Sequence, residues 1–197
     1  KLLVYFILLI VLAAVVFPMI WLLYSSLKTD QAIFISPLEL PKWNNFQWDN
    51  YVNAWIRAHF GRYFFNSVLV SGSTVVLTLI LASMIAYTLA RFSFRGSQFL
   101  LLLFLAGLMI PLQLWIVPLF FQMKEMHMLN SLSGLVIVYV ATGLPFAVFI
   151  LVGFFKTLPI TLHEAAVLDG AGEITVFWRI MLPLARPGLI TVAIFTF

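Results

Sequence analysis

Long apolar runs separated by short polar stretches organise this chain. Leu2 to Tyr24, Asn66 to Ala90, Phe99 to Phe121 and Leu132 to Phe155 each run without a charged side chain. A bilayer core about 30 Å thick needs about 20 apolar residues in helical form, so each run predicts a membrane span. A fifth span is predicted from Pro187, and its pattern is still apolar at Phe197, which predicts that the 197 residues are a piece of a longer chain. Lys1 followed at once by an apolar run has the look of a secretory signal. The run is too long for one and no small-residue cleavage pattern follows, so it is read as a span.

Composition points the same way. Hydrophobic residues make up 63% of the chain and charged residues 9%, with a mean hydropathy of +1.10. Ordinary soluble domains are about 45–50% apolar and about 25% charged, so a soluble fold cannot cover this much apolar surface. There is no cysteine, which excludes disulfides, thiolate metal sites and a cysteine nucleophile. The 11 Lys and Arg are scattered and form no basic stripe, so the positive balance reads as membrane topology and not as a nucleic-acid site. Lys1, Arg91, Arg95, Lys156, Arg179 and Arg186 fall on one side; Lys28, Lys42, Arg57, Arg62 and Lys124 fall on the other, mostly in one long loop where the rule weakens. Arg91 and Arg95 share a short connection and put it in the cytoplasm. Residues 25–65 are then an external loop and residues 156–186 a cytoplasmic one. The external loop holds Trp43, Trp48, Tyr51 and Trp55, read either as an interfacial aromatic belt with a short amphipathic helix near Trp48–Trp55 or as a docking surface for an external partner.

The spans contain no Asp or Glu, which disfavours an ion-driven carrier. His59, His127 and His163 are isolated in sequence and have no metal-ligand spacing, and no Gly is followed by Lys, so no phosphate-cradling loop of the Walker type exists. No nucleophile–base set is visible, so no catalytic residue is assigned. Any fuel must be spent by another polypeptide. Packing and kink chemistry is present instead. Ala82, Ala86 and Ala90 put a smooth stripe on the second span, and Ser67 and Ser71 do the same at its start. Pro111 and Pro118, seven apart, are expected to bend the third span on one face, and Gly143 with Pro145 to break the fourth. Asn66 and Gln113 are intramembrane amides that need partners, either interhelical or a solute.

Residues 156–187 read KTLPITLHEAAVLDGAGEITVFWRIMLPLARP. Thr161 and Glu164 have the spacing of a capping box, and Leu162, Ala165, Ala166 and Leu168 follow as helix formers. Gly170 suits a left-handed turn and Glu173 the start of a second helix. Ile174, Phe177, Trp178 and Met181 then share a helical face, and Pro183 ends the helix. This helical hairpin is either an interfacial pair lying on headgroups or a knob that docks into a soluble partner, and periodicity does not choose between them.

Glu164-Ala165-Ala166, then Gly170, then Ile180-x-Leu182-Pro183, with Asp169-Gly170-Ala171 at the centre, resembles the EAA loop of ATP-binding-cassette importer permeases. Asp49-Asn50-Tyr51, Asn66-Ser67, Gly143-Leu144-Pro145-Phe146 and Gly153-Phe154-Phe155 resemble the oligosaccharide branch of that family, of the maltose-permease kind. The resemblance implies an all-α, polytopic transmembrane helical bundle with the importer permease fold. A single permease domain over 1–197 then holds five of an expected six spans.

It further implies a subunit of a sugar importer in a bacterial or archaeal plasma membrane, with a second, non-identical permease, an ATP-binding-cassette ATPase dimer and an external solute-binding protein as partners. ATP and Mg would sit on the ATPase, and no cofactor on this chain. Glu164, Ala165, Ala166, Asp169 and Gly170 would form the ATPase-coupling surface, with Glu164 meeting a basic side chain and the alanines letting the helix sit deep in a groove. Ile180, Leu182 and Pro183 would anchor the second helix. Asn66, Gln113, Tyr139 and Thr142 are pathway candidates. The alternatives are a permease for an amino acid, polyamine or anion, and a structural membrane protein.

Overall fold

A computed structural model describes residues 1–197, the Leu112 side chain excepted. It contains α1 (Leu2–Ser25), α2 (Asp30–Ile35), a 3-10 turn (Trp43–Asn45), α3 (Asp49–Ile56), α4 (Phe60–Arg91), α5 (Ser97–Met109), α6 (Leu112–Glu125), α7 (Leu132–Thr157), α8 (Ile160–Leu168), α9 (Glu173–Val176), a π-helical turn (Phe177–Met181), α10 (Leu182–Leu184) and α11 (Arg186–Thr196). Two compact units divide at residues 64 and 65, inside α4.

In the first unit, α1 is apolar on all sides and Pro18 sits within it without ending it. The segment after it is tied by a polar knot. Lys28 is 3% exposed; its Nζ donates to the Ser36 and Pro37 carbonyls at 2.9 and 3.1 Å and lies over the Tyr24 ring. Asn50 Nδ2 donates to the Ser26 and Lys28 carbonyls at 2.9 Å, and Ser26 shares a hydrogen bond with Tyr51 at 2.6 Å. The amphipathic helix expected near Trp48–Trp55 is α3, and the loop around it is folded by these bonds rather than by aromatic burial.

The second unit is built on one core. Ala82, Ala86 and Tyr87 of α4 join Ala147, Val148, Leu151 and Phe155 of α7, and Val176, Phe177, Met181, Ala185 and Val192 further on. Buried positions of α4 recur every four residues, at Val70, Thr74, Thr78, Ala82 and Ala86, so the expected alanine stripe is the lower half of a longer one. Small side chains there let helices approach closely. At about 1.5 Å per residue, α4 is long enough to outreach a bilayer core.

α1, α4 and α7 are long and apolar enough to cross a membrane, and two bent pairs qualify if each counts as one span. The third expected span is one such pair. Helices Ser97–Met109 and Gln113–Glu125 meet at 103°, because Ile110 (ψ 114°) and Pro111 (ψ 138°) are extended. A proline pushes the residue before it out of the helical region. Pro118 lies inside α6 without ending it, so the two prolines do not act together. The expected break at Gly143 and Pro145 does not form: α7 runs unbroken from Ser131, whose hydroxyl caps the Gly134 N–H at 3.0 Å, to Thr157. The Pro145 ring faces Gly107 of α5, where even a Cβ would come within 3.2 Å, so interhelix packing holds this proline in place. At Gly188 of α11 an added Cβ would lie 2.6 Å from Phe154 Cγ, so α11 approaches α7 closely there.

Candidate functional site

The hairpin between α7 and α11 begins at α8. The expected capping box is absent: Pro159 occupies the cap position with no side-chain bond, and Thr161 lies within the helix. Proline is well suited to a helix start, since its missing N–H leaves no orphan donor there. Glu164 is thereby released from the capping role; it is exposed and has no hydrogen-bond partner among the described residues. The helix ends in a Schellman turn. The Gly170 N–H donates to the Val167 carbonyl and the Ala171 N–H to the Ala166 carbonyl, both at 3.0 Å. Gly170 has φ +86°, the left-handed conformation that glycine adopts at no steric cost.

Ala165 and Ala166 part company. Ala165 is exposed, whereas Ala166 is buried against the core formed by α4 and α7. The small size of Ala166 therefore serves the hairpin's own seating, and the outer surface includes Glu164, Ala165, Leu168 and Asp169 together with Ile160, Thr161, Leu162 and Val167. Leu168 is 88% exposed.

The returning rod Glu173–Leu184 presents a different face from the one expected. Phe177 and Met181 are buried, but Ile174 is 76% exposed and Trp178 also lies outside. Val176 and Met181, five residues apart, are both fully buried. The π-helical turn explains the shift: its i→i+5 bond, from the Leu182 N–H to the Phe177 carbonyl, adds a residue to the turn and rotates the contact face. The same widened turn admits Pro183, which has no N–H to give. Pro183 accordingly sits in α10, and the rod ends at Ala185, where its axis turns by 74° into α11. Ile180 and Leu182 pack on the core.

Three polar contacts at this site carry no sequence signature. Glu173 Oε2 meets His163 Nε2 at 3.0 Å and accepts from the Tyr87 hydroxyl at 3.5 Å. Arg91 Nη2 donates to the Leu158 carbonyl at 2.8 Å. His163, isolated in sequence, is not isolated in the fold, since it also stands edge-on to Phe92.

Elsewhere in the second unit, a cavity of about 680 Å³ is lined by Ser71, Thr74, Tyr139, Thr142, Gly143, Phe146 and residues 195–197. A smaller one of about 230 Å³ shares Ser71 and Tyr139 and includes Asn66 and Ser67. Neither lining contains an ionisable acid or base other than the Tyr139 phenol. The Thr74 hydroxyl is buried and has no hydrogen-bond partner among the described residues. Of the four pathway candidates, Asn66, Tyr139 and Thr142 are brought to this pair of cavities, and Gln113 lies exposed on α6 away from them. Thr74, which lies on α4's four-residue rhythm, and Ser71, which does not, are additions to the lining.

The sequence profile of binding-protein-dependent transport system inner membrane components matches residues 75–197. The chain belongs to this family. It is 48% identical, over 93% of its own length and 60% of the relative's, to the diacetylchitobiose uptake system permease protein NgcG of Streptomyces coelicolor. It is 36% identical to a probable ABC transporter permease of Bacillus subtilis, over 94% of this chain and 61% of that protein. It is 33% identical to a sulfoquinovosyl glycerol transport system permease of Agrobacterium fabrum, over 92% and 63%. The chain thus spans about six-tenths of the length of these relatives. Among solved structures, a bacterial ABC transporter involved in the import of the acidic polysaccharide alginate has the same fold. Its TM-score is 0.86 at 21% identity, covering 99% of this chain and 68% of that one. Membership makes the chain a multi-pass inner-membrane component, and the hairpin lies wholly within the matched region.

Proposed function

We propose that the chain is a permease subunit of an ATP-driven, binding-protein-dependent importer of a neutral oligosaccharide. It forms half of the translocation pathway together with a second, non-identical permease. An external solute-binding protein delivers the sugar to the side of residues 25–65. An ATP-binding-cassette ATPase dimer, which holds ATP and Mg, grips the hairpin on the cytoplasmic side, where Arg91, Arg95, Lys156, Arg179 and Arg186 cluster. This chain supplies no hydrolytic chemistry.

The observation that carries the reading is the two-faced hairpin. Ala166, Val176, Phe177 and Met181 seat it in the helical core, while Glu164, Ala165 and Leu168 stand exposed and unpartnered. Force applied at α8 moves membrane helices only if the hairpin is seated in this way. ATP-driven closure of the ATPases draws the hairpins together and rocks the spans between inward- and outward-facing arrangements. The charge-free cavities, with the Tyr139 ring and the Thr74, Thr142 and Ser71 hydroxyls, suit the hydroxyls and apolar faces of a sugar. The cargoes named for two relatives, diacetylchitobiose and sulfoquinovosyl glycerol, are both carbohydrates and favour a sugar over an amino acid or polyamine; the uncharged lining of the cavities favours a neutral sugar over a sulfonated one.

Reconstitution tests this reading. The full-length permease, its partner permease, the ATPase and the binding protein are assembled in proteoliposomes, and ATP-dependent uptake of labelled diacetylchitobiose is followed against unlabelled oligosaccharides, amino acids and polyamines. Competition by oligosaccharides alone is expected. Competition by amino acids or polyamines refutes the sugar assignment, and uptake without ATP refutes the class.

A further inference from the structure

The hairpin is held by α4 at two places, at the joint between α7 and α8 and beside the turn that links α8 to the returning rod. Tyr87 is 5% exposed. Its ring packs among Phe92, Phe155 and Phe177, with centroids 5.8, 5.6 and 5.1 Å away. Its hydroxyl donates to Glu173, at the start of the returning rod, and Glu173 is held in turn by His163 of α8. One helical turn beyond Tyr87, Arg91 donates to the carbonyl of Leu158, the residue that joins α7 to α8. These contacts span 86 and 67 residues of sequence.

Covalent connection carries hairpin motion to α7 and α11 alone. α4 is reached through space. Its Ala82 and Ala86 belong to the same buried core as Ala147 and Val148 of α7, and small, smooth side chains give little interlocking against a slide. Directional bonds are what fix register between such helices, and a bond from a guanidinium is stronger than one between neutral groups. α4 is also the helix that carries Ser71 and Thr74 to the cavity wall.

We infer that Tyr87 and Arg91 are positioning residues that clasp the hairpin to α4, so that a displacement of α8 shifts the α4 wall of the cavity in step with α7. The inference rests on the reading that the hairpin takes force from an ATPase. Without the clasp the ATPase still docks and still turns over, because the exposed face of α8 is untouched, but the α4 wall no longer follows.

The test compares Tyr87→Phe, Arg91→Met, the double variant and Arg91→Lys in the fully assembled transporter in proteoliposomes, reading binding-protein-stimulated ATP hydrolysis and solute uptake on the same samples. Tyr87→Phe keeps the buried ring, and Arg95 keeps a positive charge in the connection. For the double variant, uptake is expected to fall about tenfold while hydrolysis stays within about twofold of the unsubstituted protein, so ATP spent per solute rises at least about fivefold. Tyr87→Phe alone is expected to raise that ratio about twofold, and Arg91→Lys, which keeps a charged donor, to restore most of the uptake lost in Arg91→Met. An unchanged ATP-to-solute ratio in Tyr87→Phe and in the double variant overturns the clasp, whether both activities are kept or both fall together. Failure of the unsubstituted assembly to couple ATP to uptake is a separate result and overturns the function proposed above.

Discussion

Gly170 offers the cleanest perturbation of the hairpin. Its φ of +86° lies in the left-handed region, and a Cβ built there would meet nothing within 4 Å. Any cost of substitution therefore comes from the backbone and not from crowding inside the chain. An ordinary L-residue pays about 1–2 kcal/mol for that conformation, whereas asparagine visits it readily. At room temperature this corresponds to about a 5–30-fold shift toward an opened turn. Asparagine and leucine are nearly the same shape, so Gly170→Asn and Gly170→Leu separate backbone strain from a steric block by a docked partner. Hydrogen exchange of the residue 170 and Ala171 amides, which close the turn, reads the strain directly. Both amides are expected to exchange about 5–30-fold faster in Gly170→Leu and close to the unsubstituted rate in Gly170→Asn. ATP-driven uptake is expected to follow the same order. Equal loss of uptake in the two variants, with amide exchange unchanged in both, refutes the strain argument and assigns the glycine to clearance for the partner.

Two further outcomes follow from the packing and the cavity. Gly188→Ala places a methyl 2.6 Å from Phe154 Cγ, and relief requires α11 to move from α7 at about 1–3 kcal/mol, which lowers the melting temperature in detergent by about 2–12 °C; Phe154→Leu in the same chain is expected to recover most of it, and an unchanged melting temperature in Gly188→Ala contradicts the close crossing. Tyr139→Ala is expected to lower the apparent affinity for transported sugar by about tenfold, while Gln113→Leu leaves it within about twofold; the reverse ranking places the pathway on α6 instead of the α4–α7 cavities.

Span positions and the hairpin turn were legible in the residues, because both rest on strong local signals: uninterrupted apolar runs for the first, and a glycine between helix formers for the second. Proline was the weaker guide. Pro111 broke a span because its predecessor took an extended conformation, whereas Pro145 and Pro118 stayed inside helices, and for Pro145 the opposing Gly107 on another helix is invisible in a local pattern. A 3.6-residue period does not carry across the π-helical turn, so the buried face of the returning rod differs from the one the spacing predicts. The capping box failed for a related reason: Pro159 starts α8 two residues before Thr161. The Tyr87, Arg91, His163 and Glu173 cluster joins residues far apart in the chain, and no spacing rule brings them together.

The central claim is that the exposed face of α8 is the handle by which an ATPase moves these spans. Its most direct measurement is capture of the ATP-binding-cassette subunit by the purified full-length permease in a detergent that preserves complexes, with the unsubstituted chain beside Glu164→Lys. Glu164 is exposed and has no partner among the described residues, so the substitution is expected to leave insertion and melting temperature unchanged while capture falls about tenfold or more. Undiminished capture by Glu164→Lys, or no ATPase recovered with the unsubstituted chain, contradicts the claim.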